Sequence, residues 1–260
     1  MRRVLGSFAV GLALALAVAG PSLAQAPFGA LPGEMPAQCQ VPRAVYVDDS
    51  PLPKAGKKLA GGSLRIAALG SSTTLGVGSS GTEAAWPARL EAELRRRLPN
   101  ADIAVVNRGK LRDPASEMVK RMAAEALAGK PDILIWETGT AEAVRNMSLE
   151  QFVANLELGA EIAALAGAEL VLMTPQYSRE TSRLIGYQPY IEAMTNLAQR
   201  TDALMFPRFE VMRHLVESGQ LQLEGLLPAQ AARTADRVYD CIARQVARVL
   251  LRAMAAPAPR

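Results

Sequence analysis

Leu64-Arg65-Ile66-Ala67-Ala68-Leu69-Gly70-Ser71-Ser72-Thr73-Thr74-Leu75-Gly76 is the stretch on which the fold reading turns. A short, largely apolar run stops abruptly in glycine and hydroxyl residues. Small residues permit a sharp turn after a buried strand, and a hydroxyl at such a turn can project from the rim of a sheet. In open α/β sheets that rim, at the carboxyl ends of the strands, is where ligands bind. A phosphate-binding loop would continue into Gly-Lys-Ser or Gly-Lys-Thr, which does not follow here, and the glycine spacing differs. On this stretch alone an ordinary Gly/Ser loop is an equally good reading.

Working outward, similar runs recur at Ile103–Val106, Ile133–Trp136, Leu170–Met173 and, more weakly, Ala203–Phe206. Each is short and apolar on both faces, as expected of buried parallel strands. Helical periodicity fills the intervals near Glu83–Leu98, Ala115–Ala128, Leu149–Leu165, Gln188–Arg200 and Ala229–Met254. The alternation predicts one three-layer, doubly wound α/β domain over residues 61–254, with a parallel sheet of about five strands. Residues 25–60, rich in Pro, Gly and Lys, read as an extended leader wrapping that domain. Residues 255–260 read as a frayed Ala-Pro tail.

Composition narrows the function classes. Of 260 residues, 50% are hydrophobic and 21% charged, which excludes a disordered chain and a multi-pass membrane protein. The formal charge of +4 is too small and too scattered for a nucleic-acid footprint. One histidine (His214) and two cysteines (Cys39 and Cys241) exclude a His- or Cys-rich metal cluster, and no cofactor is implied. Residues 1–24 carry the marks of a secretory signal peptide: Arg2 and Arg3, the uncharged run Phe8–Ala19, the break at Gly20-Pro21, and the small ending Ser22-Leu23-Ala24. The alternative, an uncleaved anchor, suffers from a run short for a bilayer. The expectation is an exported protein, periplasmic or secreted, with no integral membrane segment in the mature chain. In an oxidising compartment Cys39 and Cys241 are then expected to be bridged, fastening the leader to the last helix.

Five stretches together resemble the blocks of the SGNH (GDSL-type) hydrolases. Ile66–Thr74 is similar to the first block, whose Gly-Asp-Ser is Gly-Ser-Ser in some members. Val105-Val106-Asn107-Arg108-Gly109 is similar to the second, and Pro131–Thr140 to the third. Val171–Tyr177 and Tyr239-Asp240-Cys241-Ile242-Ala243 resemble stretches of exported bacterial members. The resemblance spans roughly residues 39–250 and implies a flavodoxin-like sheet and ester or acyl hydrolysis. It places Ser72 at the nucleophile and Gly109 at an oxyanion glycine.

It also exposes gaps. A serine hydroxyl needs a base to take its proton, and histidine suits that task. The acid and base positions of the last block fall on Glu224 and Leu227, in Leu223-Glu224-Gly225-Leu226-Leu227-Pro228. Leucine cannot be a base. The third-block asparagine, an oxyanion donor, is replaced by Ala141. His214 lies outside the catalytic blocks, and Glu142 and Asp240 are weaker substitutes still. The expectation is an impaired hydrolase that binds an acylated glycan or lipid of the envelope. The alternative is an active serine esterase using Ser72 with a relocated base.

Overall fold

The computed structural model describes residues 35–46 and 50–256. The signal-peptide reading, the start of the leader and the last four residues lie outside them. Five parallel strands, β1 (Ser63–Gly70), β2 (Asp102–Gly109), β3 (Ile133–Glu137), β4 (Glu169–Met173) and β5 (Leu204–Phe206), pair in the order β2-β1-β3-β4-β5. That order is doubly wound: the chain leaves β1 toward β2 on one side and returns to β3 on the other. A crevice opens at the carboxyl ends of β1 and β3. Register places Gly70 beside Gly109 and Leu69 beside Trp136, so the turns after β1, β2 and β3 share one rim.

Ten α-helices accompany the strands among the described residues: α1 (Pro53–Ala60), α2 (Ser72–Leu75), α3 (Trp86–Arg97), α4 (Ala115–Arg121), α5 (Thr140–Arg145), α6 (Leu149–Leu165), α7 (Thr181–Leu184), α8 (Gln188–Thr201), α9 (Arg208–Glu217) and α10 (Pro228–Ala255). Alternation along the strands divides the core. Leu134, Trp136 and Leu172 pack with Met118 of α4, Leu156 of α6 and Met194 of α8. On the other face α1, α3 and α10 form the third layer. Trp136 is fully buried and its indole N–H meets Met118 Sδ at 3.1 Å. The three-layer, five-stranded expectation is therefore met.

Two local expectations are corrected. Residues 53–60, expected within an extended leader, form α1. Pro53 sits in the first turn, Ala55 and Leu59 lie one turn apart on the buried side, and the Glu169 carboxylate accepts the N–H groups of Lys54 (3.0 Å) and Ala55 (2.7 Å). A carboxylate at a helix start satisfies donors that have no intrahelical partner. The second correction concerns β2, expected to be buried on both faces. It is an edge strand, and Val106 is 42% exposed.

The third layer is held by charge and by covalency. Glu93 of α3 is buried and pairs with Arg96 (2.8 Å), Arg97 (2.6 Å) and Arg244 of α10 (3.3 Å). Burial alone would raise its carboxyl pKa, but those guanidinium groups outweigh burial and hold it below the ordinary value. Cys39 and Cys241 form a disulfide with Cα atoms 5.0 Å apart. Around it Tyr46 donates to Gln245 Oε1 at 2.6 Å, and Gln245 Nε2 donates to the Cys39 carbonyl. The segment before α1 is thereby fixed to α10.

Candidate active site

The site grows from the end of β1. Ser71, Ser72, Thr73 and Thr74 turn sharply into the single-turn helix α2, and a carboxylate beneath organises the turn. Glu137, the last residue of β3, is fully buried. Its Oε2 accepts the Ser71 N–H (3.0 Å) and the hydroxyls of Thr74 (3.0 Å) and Thr73 (3.3 Å), while Oε1 accepts Thr140 Oγ1 (3.3 Å). Arg208, also buried, brings Nη1 to 4.0 Å from Glu137 Oε1 and donates to Thr73 Oγ1 at 3.1 Å. Burying a charge without a partner is costly, so carboxylate, guanidinium and hydroxyls form one unit.

Ser72 is half-buried at the rim. Its Oγ accepts a hydrogen bond of 2.9 Å from the backbone N–H of Arg112. Arg112 lies in the loop after β2 with φ +53°, a left-handed conformation that non-glycine residues seldom adopt. Two clamps hold it there: Ser72 on its N–H side, and on its carbonyl Arg145 Nη2 of α5, at 2.7 Å. The next residue, Asp113, is buried against Arg121 at 2.7 Å. The Ser72 N–H opens α2, in the turn whose N–H groups have no intrahelical partner.

Gly109 occupies a different place in this arrangement. Its N–H donates to Asn107 Oδ1 at 2.8 Å, and Asn107 Nδ2 donates in turn to the Thr74 carbonyl at 2.8 Å. A Cβ on Gly109 would fall 2.2 Å from Leu75 N, so glycine is required there for close approach to α2. Ser72 and Gly109 share a rim, but the N–H that reaches the serine belongs to Arg112.

None of the remaining positions hydrogen-bonds the Ser72 side chain. Ala141 is buried in α5 and its methyl donates nothing. Glu142 accepts the N–H groups of Ala115 and Gly139 (3.1 Å), joining α4 to α5. Burial raises its carboxyl above the usual range, with the nearby Glu137 charge adding to the effect. Asp240 pairs with Arg244 (2.8 Å) and Arg89 (3.5 Å). Glu224 Oε1 accepts the Arg179 N–H at 2.7 Å. Leu227 is 65% exposed and precedes Pro228 at the start of α10, where its N–H donates to Gln230 Oε1. His214 lies in the last turn of α9, six residues beyond Arg208, or about 9 Å along the axis at 1.5 Å per residue. Among the described residues no side chain that could accept a proton hydrogen-bonds Ser72 Oγ, and no group of three His, Cys, Asp or Glu is placed to hold a metal ion.

Sequence reasoning missed Arg112, Glu137 and Arg208. An acidic residue closing an otherwise apolar strand was a usable sign for Glu137. Arg208 comes from 135 residues beyond Thr73 and carried no local mark.

An open parallel sheet with a hydroxyl turn at its switch point defines a doubly wound α/β protein whose rim is placed to hold a ligand. The profile of the non-GDSL lipase-like family matches residues 38–256, and the chain belongs to that family. Among solved structures it is similar to a catalytic mutant of an acetylxylan esterase from Geobacillus stearothermophilus, with TM-score 0.58 and 19% identity over 74% of this chain and 94% of that one. A protein assigned to the G-D-S-L lipolytic family from Desulfitobacterium hafniense DCB-2 gives 0.56 and 23% over 73% and 99%. The lipase/acylhydrolase from Enterococcus faecalis gives 0.52 and 22% over 70% and 94%. No curated protein matches. The likeness to these structures is one of fold.

Proposed function

We propose that the protein is an exported member of its family that binds an acylated glycan or lipid of the cell envelope and no longer hydrolyses it at a useful rate. One observation carries this reading: the Ser72 hydroxyl meets a backbone donor, Arg112 N–H, and no base among the described residues; the family resemblance adds that the position it gives to the imidazole is Leu227. A hydroxyl that accepts from an N–H keeps its own proton to donate, which suits holding a carbonyl better than attacking one. Loss of a triad histidine costs about 10⁶ in turnover, and loss of one oxyanion donor about 10²–10³, although such factors do not simply multiply. The Cys39–Cys241 bridge supports an oxidising compartment, and among the described residues no helix is long and apolar enough to cross a membrane.

Two features favour the alternative, an active serine esterase with a relocated base: the retained Ser72 turn and the Ser72 N–H in the first turn of α2, which has no intrahelical partner. Hydrolysis of a short-chain nitrophenyl ester by the wild type, Ser72→Ala and His214→Ala separates the two. Three equally slow proteins, none labelled by a fluorophosphonate, are expected. Robust turnover lost in Ser72→Ala overturns the proposal, and loss in His214→Ala as well would name the base.

A further inference from the structure

Isolated exposed apolar side chains are ordinary; a concentration of them is informative. Six of the ten large hydrophobic residues exposed among the described residues lie on segments beyond the carboxyl ends of the strands or at the loop entering α10: Leu75, Val77, Leu111, Val144, Leu184 and Leu227. The bonds Ser72–Arg112 and Arg112–Arg145 tie together the segments that carry three of them: Leu111 and Val144 adjoin Arg112 and Arg145 in the chain, and Leu75 closes the single-turn helix that Ser72 begins. The Glu224–Arg179 bond ties the segment leading to Leu227 to the one carrying Leu184.

Charge on the same rim leans positive even with the carboxylates of Glu180, exposed between Arg179 and Arg183, and Glu224, bonded to the Arg179 backbone. Arg112, Arg145, Arg179 and Arg183 are exposed, and none pairs with a carboxylate among the described residues. Arginines elsewhere are treated differently: Arg95 pairs with Glu91, Arg96 and Arg97 with Glu93, and Arg244 with Asp240. The carboxylates deepest beneath the rim, Glu137 and Glu142, are buried and already bonded, so they do not neutralise it from outside.

We propose that this rim, Leu75, Leu111 and Val144 with Arg112, Arg145, Arg179 and Arg183, docks the protein on an anionic lipid surface, the guanidinium groups meeting phosphate headgroups and the aliphatic side chains entering the interface. Leucine and valine beside unpaired arginine is the composition of an interfacial surface. Docked in this way, the turn that carries Ser72 faces the bilayer. The inference goes beyond the ligand of the cleft, because an active hydrolase would dock identically.

The test is flotation of the full chain with vesicles of phosphatidylglycerol and phosphatidylcholine in equal parts, and with phosphatidylcholine alone. Because residues 1–24 are themselves apolar, variants are compared in one background. Arg179→Gln with Arg183→Gln removes two charges from the rim. Lys57→Gln with Lys58→Gln removes two exposed charges from α1, at the opposite end of the sheet. At about fivefold per arginine, the rim pair is expected to weaken partition to anionic vesicles roughly 25-fold, while the α1 pair changes it less than about twofold. Leu111→Asp with Val144→Asp, both at exposed positions, is expected to abolish the preference for anionic vesicles with an unchanged melting curve. Equal losses from both charge pairs, or wild-type binding by the aspartate pair, overturns the proposal. So does sedimentation showing a dimer that the aspartate pair dissolves without vesicle binding, which would make a second copy the occupant. Ester hydrolysis enters none of these readouts, so the result stands apart from the reading of Ser72.

Discussion

The two halves of the rim are held very differently. On the β1–β2–β3 side, Ser71 to Thr74 rest on Glu137, Asn107 spans Gly109 and Thr74, and Arg112 is clamped through both its N–H and its carbonyl. On the side leading into α10, Glu224 makes one bond to the Arg179 backbone, Gly225 is left-handed, and Leu227 faces solvent. Under the proposed function, the contrast explains how such a site can decay at one end only. The serine turn shares its hydrogen bonds with the sheet, so altering it damages the fold. The positions that the family resemblance gives to the carboxylate and the base, Glu224 and Leu227, belong to the more weakly held loop. Under the proposed function a histidine lost there costs chemistry and little stability.

The most damaging way to break the contrast is to remove the carboxylate under the serine turn. Glu137→Ala would leave Arg208 buried beside three orphaned hydroxyls and the Ser71 N–H. Removing one partner of a buried pair costs about 3–5 kcal/mol, and the urea midpoint should fall accordingly with the slope unchanged. A loss below about 1 kcal/mol would show that the serine turn is no better supported than the opposite loop.

The next effect concerns α10, which anchors the weaker half and also binds the serine side through Tyr239 OH on the Val77 carbonyl at 2.7 Å. Cys39→Ser with Cys241→Ser opens a bridge between residues 202 apart in sequence. Its expected cost is about 2–5 kcal/mol, read as a lower melting temperature that dithiothreitol does not lower further. A pair of variants as stable as the oxidised wild type would mean that the buried Gln245 contacts alone fasten the segment before α1.

Acid sharpens the comparison through Glu93. Its folded pKa lies below the ordinary 4.5, so its contribution is fully present above that value and is lost as pH falls through the folded pKa. Unfolding free energy should therefore decline below about pH 4.5, and Glu93→Gln should flatten that decline while lowering stability at neutral pH. Glu142 has the opposite sign. Its folded pKa is raised, so it opposes folding progressively as pH rises above 4.5. If Glu93→Gln leaves the acid limb as steep as before, the clamp between α3 and α10 is not what titrates.

Legibility followed the kind of force involved. Leu149–Leu165 matches its helix residue for residue because an apolar stripe starts after Ser148, whose Oγ accepts the Gln151 N–H at 3.2 Å. The runs at β1, β3 and β4 were readable because burial on both faces leaves no polar alternation. Helix α1 was not, since its polar face is lysine-rich and the carboxylate that starts it comes from Glu169, more than a hundred residues away. Ser72 could be found from local composition. The Arg112 N–H could not: a left-handed arginine has no signature in sequence, and its clamps come from α2 and α5. The proposed loss of the base rests on an identity at one position, Leu227, which sequence alone supplies.

That position also yields the smallest expected change. Leu227→His replaces a side chain that is 65% exposed at a helix start whose cap comes from Gln230, so stability should move by no more than about 0.5 kcal/mol. Restoring the imidazole restores one requirement of several. Glu224 is committed to the Arg179 N–H and would not orient the new ring, and Ala141 still supplies no oxyanion donor, a loss worth about 10²–10³. Hydrolysis of a nitrophenyl ester by Leu227→His should therefore rise by less than about tenfold over the wild type. Adding Ala141→Asn to it should produce the larger gain, and Ser72→Ala should abolish that gain. A large, Ser72-dependent rate from Leu227→His alone would show that the serine half of the rim is already a working oxyanion site. The decay would then reduce to one missing imidazole.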